Sequence, residues 1–208
     1  MKNLAIIIFL LISVSVYAQT FEGKISYQNK YTSRMKDPNS EQLAALMGTT
    51  QEYYIKDGNY KTVTNGTLAQ WQLYNNKENK LFYKMSNSAD IIWSDGSVNE
   101  DTVIKIEKNK NAEIILGYSC DELILYTKGG AQKYYYNAKL SINPALFANH
   151  KYGNWYTYVK SAKAIPLKIV ITNSQFTLEN VATEIKKMKL EDNLFRLPEN
   201  VTLKKATF

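Results

Sequence analysis

Apolar and polar side chains alternate along most of this chain. Leu167, Ile169 and Ile171 fall on every second position, a spacing that places them on the same side of a β-strand. Turn signals such as Asp57-Gly58 and Asn65-Gly66 return at intervals of about ten residues, so we predict an antiparallel meander. The same alternation recurs at Trp71 and Leu73, Leu81 to Met85, Ile104 and Ile106, Ile114 to Cys120, and Val181 to Ile185.

One early stretch follows a different spacing. Leu43, Leu46 and Met47 recur at intervals of three and four, which places them on one stripe of a short amphipathic helix. We expect Asp37 to cap this helix and Gly48 to end it. A single early helix in a chain of strands is expected to lie against the sheet.

The first eighteen residues carry the pattern of a secretory signal peptide. Lys2 gives a positive start, an apolar run extends from Leu4 to Val16, and the small residue Ala18 ends the segment. Gln19 follows, so no cysteine stands there to carry a lipid anchor. We predict cleavage near Ala18 and release into the periplasm or the medium. Residues 19–208 show no repeats and no linker, and we expect them to form one β-rich domain.

The chain has a formal charge of +7, but its basic side chains are not those of a nucleic-acid reader. Only Arg34 and Arg196 are arginine, the better bidentate ligand of phosphates and bases, and the lysines are scattered. We therefore expect no nucleic-acid partner and at most a weak attraction to anionic membranes. Cys120 is the single cysteine, so no internal disulfide can form and packing must stabilise the fold.

Several short motifs resemble a known group of exported proteins. These are Gly117-Tyr118-Ser119-Cys120, the aromatic strand Tyr134-Tyr135-Tyr136, the ending Leu194 to Pro198 and the opening Phe21 to Tyr27. They are similar to poorly characterised exported families of Bacteroidetes that look like the periplasmic lipoprotein carriers, the LolA/LolB-like proteins. The resemblance implies a strongly curved antiparallel sheet, an incomplete β-barrel with one or two short helices on its concave side. It also implies an apolar cavity that holds acyl chains.

The residues offer little catalytic chemistry. Cys120 and His150 are the one conceivable nucleophile and base, but Cys120 lies in an alternating apolar run, where a buried inert thiol is usual. We expect His150, between Asn149 and Lys151, to lie at the surface. One histidine and one cysteine cannot supply a structural zinc site. The loop from Asp95 to Asp101 alternates oxygen ligands but lacks the glycine and glutamate of a calcium loop. We therefore expect no metal, no cofactor and no catalytic residues.

Because the residues offer little catalytic chemistry, we infer the function from the shape of the predicted fold. We predict an exported soluble binding protein with an apolar cavity for a ligand such as a lipid or a lipoprotein acyl chain. The alternative is a non-enzymatic protein of the cell envelope, with a filled core and an aromatic face that binds a partner protein. An enzyme is the least favoured class. The residues predicted to line the cavity are Leu43, Leu46, Met47, Trp71, Leu73, Phe82, Tyr83 and Trp93.

Overall fold

The computed structural model describes residues 20–207, and the predicted signal peptide at residues 1–18 lies outside the described residues. The described chain forms twelve β-strands, two α-helices and three short 3₁₀ helices. The strands are β1 (Gly23–Ser33), β2 (Thr50–Lys56), β3 (Asn59–Thr64), β4 (Ala69–Asn75), β5 (Lys80–Met85), β6 (Ile91–Asp95), β7 (Val103–Ile115), β8 (Tyr118–Thr127), β9 (Gly130–Ser141), β10 (Ala164–Asn173), β11 (Phe176–Lys187) and β12 (Leu203–Lys205). The α-helices are α1 (Ser40–Met47) and α2 (Trp155–Ala162), and the 3₁₀ helices span Pro144–Phe147, Tyr152–Asn154 and Asp192–Phe195.

All twelve strands belong to one sheet, in the order β12-β6-β5-β4-β3-β2-β1-β11-β10-β9-β8-β7. Neighbouring strands run antiparallel, except that β12 runs parallel to β6. Strands β2 to β6 and β7 to β11 are therefore two meanders, and β1 joins them by pairing with β2 on one side and with β11 on the other. The sheet is strongly curved but not closed, which confirms the mainly β fold and the incomplete barrel.

The early helix forms where the spacing of its apolar residues predicts it, but its cap differs. Asn39, not Asp37, is the N-cap: its Oδ1 accepts from the Gln42 amide at 3.0 Å, and the Gln42 side chain accepts from the Asn39 amide at 2.7 Å. This reciprocal pair satisfies two backbone donors, which a single cap at Asp37 would not do. Gly48 ends the helix as predicted, with a φ of 95°. Among residues 20–207, no helix is long and apolar enough to cross a membrane.

The two faces of the sheet carry separate apolar clusters. The inner, concave face is covered by α2, whose Tyr158 and Val159 are fully buried against strand side chains. The outer face carries a smaller cluster in which Phe82 packs beneath Leu190 and Phe195 of the C-terminal segment. Because successive strand residues point to opposite faces, the register decides which cluster each side chain joins.

Candidate functional site

Stacked aromatic rings fill the centre of the inner face. Tyr53, Tyr60 and Tyr74 lie on β2, β3 and β4, and their ring centroids are separated by 5.4 and 5.3 Å in turn. His150 stacks on Tyr74 at 4.0 Å, and its Nε2 lies 2.8 Å from the hydroxyl of Tyr60. Burial lowers the pKa of His150 to about 3, so the imidazole is neutral at physiological pH. The stack is thus an uncharged, closely packed layer beneath α2.

A cavity of about 240 Å³ lies beside this stack, between the β2–β4 side and the β10–β11 side of the curved sheet. Trp155, at the start of α2, forms part of its boundary. Tyr27 of β1 joins the two sides, because its hydroxyl donates to the carbonyl of Pro166 at 2.7 Å. The lining residues are Tyr27, Gln51, Tyr53, Tyr60, Thr62, Gln72, Trp155, Pro166, Ile169, Ile171, Leu178 and Asn180.

The two walls of the cavity differ in polarity. On one wall, Thr62 pairs with Tyr53 on β2 and with Gln72 on β4, which places a hydroxyl and an amide in one row. The opposite wall is mostly apolar: Ile171 pairs with Leu178 across β10 and β11, and Pro166 and Ile169 lie beside them. Its one polar side chain is Asn180 of β11, the partner of Ile169. The tyrosines of the cavity are buried, whereas the side chains of Ile169, Ile171 and Leu178 are partly exposed. The cavity is therefore amphipathic.

Three residues that line the cavity hold polar atoms that have no hydrogen-bond partner within residues 20–207. These atoms are the hydroxyl of Tyr53, the indole nitrogen of Trp155 and Oδ1 of Asn180. Leaving such a buried group unpaired costs about 1–3 kcal/mol. The amide nitrogen of Asn180 is satisfied, since it donates to Asn29 at 2.6 Å. Burial raises the pKa of Tyr53 well above its usual value, so its hydroxyl stays protonated.

The eight residues predicted to line a ligand cavity do not all meet at one place: four of them share the outer cluster and the other four lie elsewhere. Leu73 and Phe82 are buried in the outer cluster, with Trp71 and Trp93 packed against it. Tyr83 packs against the inner cluster instead. On α1, Leu43 is buried, and Leu46 and Met47 are partly exposed. None of the eight is among the twelve residues that line the inner cavity described above.

The spacing of apolar residues alone could not separate the predicted residues from those that line the cavity. Alternation shows that residues share a face of a strand, but it does not show which face is concave. The alternation of Leu167, Ile169 and Ile171 predicts that they share one face of a strand, and two of them, Ile169 and Ile171, line the cavity. The cavity is also lined by Gln51, Thr62 and Gln72. Because these side chains are polar, the apolar alternation does not identify them. The register that brings Thr62 beside Gln72 follows from the β3–β4 pairing.

Cys120 and His150 lie in separate environments. Cys120 is fully buried in β8, and burial raises the pKa of its thiol, so the expectation of a buried thiol is confirmed. The expectation of a surface histidine is wrong: His150 is only 1% exposed. The polar neighbours of His150 in the sequence favour a surface position, and they do not reveal that its ring stacks on aromatic side chains in the fold.

The loop from Asp95 to Asp101 borders a second cleft, of about 420 Å³, at the end of β6. The carboxylates of Asp95 and Asp101 already have partners. Oδ1 of Asp95 accepts from the amide and hydroxyl of Ser97 at 2.8 and 2.7 Å, and Oδ1 of Asp101 accepts from the Gly129 amide at 2.9 Å. Within residues 20–207, no three His, Cys, Asp or Glu side chains group as metal ligands would. We interpret Asp95 and Asp101 as turn-stabilising groups.

No family model and no curated protein matches this chain. Among solved structures, it is similar to an uncharacterized conserved protein from Thermus thermophilus, with 12% identity, a TM-score of 0.45, and coverage of 87% of this chain and 90% of that chain. It is also similar to a LolA superfamily protein from Nitrosomonas europaea, with 9% identity, a TM-score of 0.38, and coverage of 86% of this chain and 91% of that chain.

Proposed function

We propose that this chain is a non-catalytic binding protein that takes an apolar or amphipathic ligand into the inner face of its curved sheet. The observation that carries the proposal is the cavity of about 240 Å³, whose twelve lining residues include no charged side chain. Cavities that combine apolar walls with a few polar groups are typical of ligand sites. Burial supplies the binding energy, at about 0.8 kcal/mol for each methylene group removed from water.

The size of the cavity limits what it holds. It is larger than the cavity of about 150 Å³ that admits benzene, and it lies below the range of about 300–1,000 Å³ that is usual for drug-sized ligands. A short ligand, or the end of one lipid or lipoprotein acyl chain, matches this volume. The remainder of a longer chain would lie between the partly exposed Ile169, Ile171 and Leu178.

The proposal includes a location. The pattern of the first eighteen residues predicts export, so the ligand would be met in the periplasm or outside the cell. A lipid or a lipoprotein acyl chain is the ligand class that suits both this location and the apolar wall. In this proposal the protein binds and releases the ligand without chemical change.

Displacement of a fluorescent apolar dye by lipids tests the proposal. Leu178→Trp should fill the cavity and reduce dye binding at least about tenfold, because a larger side chain occupies the ligand's volume. Ile114→Trp is the matched control, since Ile114 is 75% exposed on β7 and should leave binding unchanged. Thermal unfolding of both variants separates a filled cavity from a damaged fold. Equal dye binding by the two variants, both folded, would refute an inner-face site.

A second candidate function is that of an envelope protein that binds a partner through its surface. The filled aromatic stack around Tyr60 favours it, because much of the inner face is solid core. None of the exposed large apolar side chains of residues 20–207 is aromatic, however, and they include Ile104 and Ile106 on the edge strand β7. Cross-linking in intact cells distinguishes the two: one stoichiometric protein partner, with no lipid retained on purification, would favour this second function.

A further inference from the structure

The polar wall of the inner cavity restricts the chemistry of its ligand. We infer that the ligand carries an uncharged polar head group, such as a carboxamide or a hydroxyl, that binds the polar groups of the lining while its chain packs on the apolar side chains of β10 and β11. This inference rests on the proposed binding function and adds the class of ligand. It follows from the charge, the hydrogen-bonding groups and the position of the lining residues.

The register of the strands keeps charged side chains out of the lining of the inner cavity. On β2, Glu52 lies between the lining residues Gln51 and Tyr53, and it faces outward to bond Lys24 at 2.7 Å. On β10 and β11, Lys168 and Glu179 likewise form an outer pair at 3.0 Å. Glu52, Lys168 and Glu179 are thus already paired on the opposite face, where Lys61 also lies, 5.5 Å from the centroid of the Trp71 ring. An ionised head group in the cavity would lose its hydration and find no counter-charge, which is strongly unfavourable.

The hydrogen-bonding groups of the lining suit a neutral head group that both donates and accepts. The hydroxyl of Tyr53 and the indole nitrogen of Trp155 offer donors, and Oδ1 of Asn180 offers an acceptor. Gln72 and Thr62 add an amide and a hydroxyl in the neighbouring row. A carboxamide has both functions, whereas a carboxylate only accepts and would leave the acceptor of Asn180 unpaired.

The amphipathic geometry also sets the orientation of the ligand. The polar row on β3 and β4 faces Ile171 and Leu178 across the cavity, so the head group and the chain of one ligand meet opposite walls. The partly exposed side chains belong to both walls, Gln51 and Gln72 to one and Ile171 and Leu178 to the other, so exposure does not place one end of the ligand deeper than the other.

Octanamide and octanoate form a matched pair that tests the inference, since they differ little in shape and differ in charge. Isothermal titration of the purified protein at neutral pH should show octanamide binding at least about tenfold more tightly, which corresponds to about 1.4 kcal/mol. Equal or tighter binding of octanoate would overturn the inference while leaving the proposed binding function intact. Absence of binding by both compounds would overturn the proposed function itself.

Substitution of the polar wall gives an independent readout. Gln72→Leu should weaken octanamide binding about fivefold, because the head group loses one hydrogen-bond partner. The same variant should bind toluene as the unaltered protein does, because toluene has no head group. Gln70→Leu is the matched control on the same strand, because Gln70 is exposed and is not among the lining residues. Unchanged octanamide binding by a folded Gln72→Leu protein would contradict the inference. If that variant does not fold, the ratio of octanamide to octanoate affinity in the unaltered protein still decides.

Discussion

Acidification from about pH 7 to about pH 5 should destabilise this protein mainly through one side chain, His150. His150 is the only histidine of the chain, it is 1% exposed, and burial lowers its pKa from 6.5 to about 3. In the unfolded chain its pKa returns to about 6.5, so the unfolded state binds the proton first as the pH falls. The stability that the neutral ring contributes is therefore present above about pH 6.5 and is lost progressively down to about pH 3.

The magnitude follows from the shift. Each pKa unit corresponds to about 1.4 kcal/mol, so lowering the pH from 7 to 5 should reduce the free energy of unfolding by about 2 kcal/mol. The lowered carboxyl pKa values, such as that of Glu52, act mainly below this window. Urea unfolding at several pH values measures the slope, and His150→Gln, which keeps a polar group near Tyr60, should abolish it. A flat free energy between pH 7 and 5, or an equal slope in the variant, would refute this account of His150.

Three further predictions concern packing, backbone and reactivity. Phe82→Ala should cost about 3–5 kcal/mol in urea unfolding, because Phe82 is fully buried in the outer cluster, and a cost below about 1 kcal/mol would contradict that burial. Gly130→Ala should destabilise the protein far more than Gly117→Ala does. A Cβ at Gly130 would lie 1.9 Å from the Thr172 carbonyl oxygen, whereas a Cβ at Gly117 would meet no atom within 4 Å. Equal melting temperatures of the two variants would contradict this. Cys120 should react with a thiol reagent only after unfolding, and rapid labelling of the native protein would contradict its burial.

Most of the fold could be predicted from the sequence. Alternation at Leu167, Ile169 and Ile171 predicts a strand, and Asp57-Gly58 predicts a hairpin turn that joins β2 to β3. These signals are local, because they depend on the two-residue period of a strand and on the φ values that a tight turn requires. The cap of α1 was misplaced by two residues because Asp37 and Asn39 carry similar capping groups, and only the reciprocal bond to Gln42 distinguishes them.

The cavity could not be predicted in the same way. Trp71 and Leu73 alternate as well as Ile169 and Ile171 do, yet the first pair faces the outer cluster and the second faces the inner cavity. Which face is concave depends on the pairing of all twelve strands, and in particular on β1 joining two meanders that are distant in sequence. His150 shows the same limit, because its buried position results from ring stacking on Tyr74.

The central claim is that the inner face holds a ligand, and the most direct measurement is a crystal structure of the protein as purified from cells that export it. We expect elongated density between Tyr53 and Trp155 on one side and Ile171 and Leu178 on the other, with the end of the density at the polar wall. A cavity that contains only ordered water, or one that neighbouring side chains close, would contradict the claim.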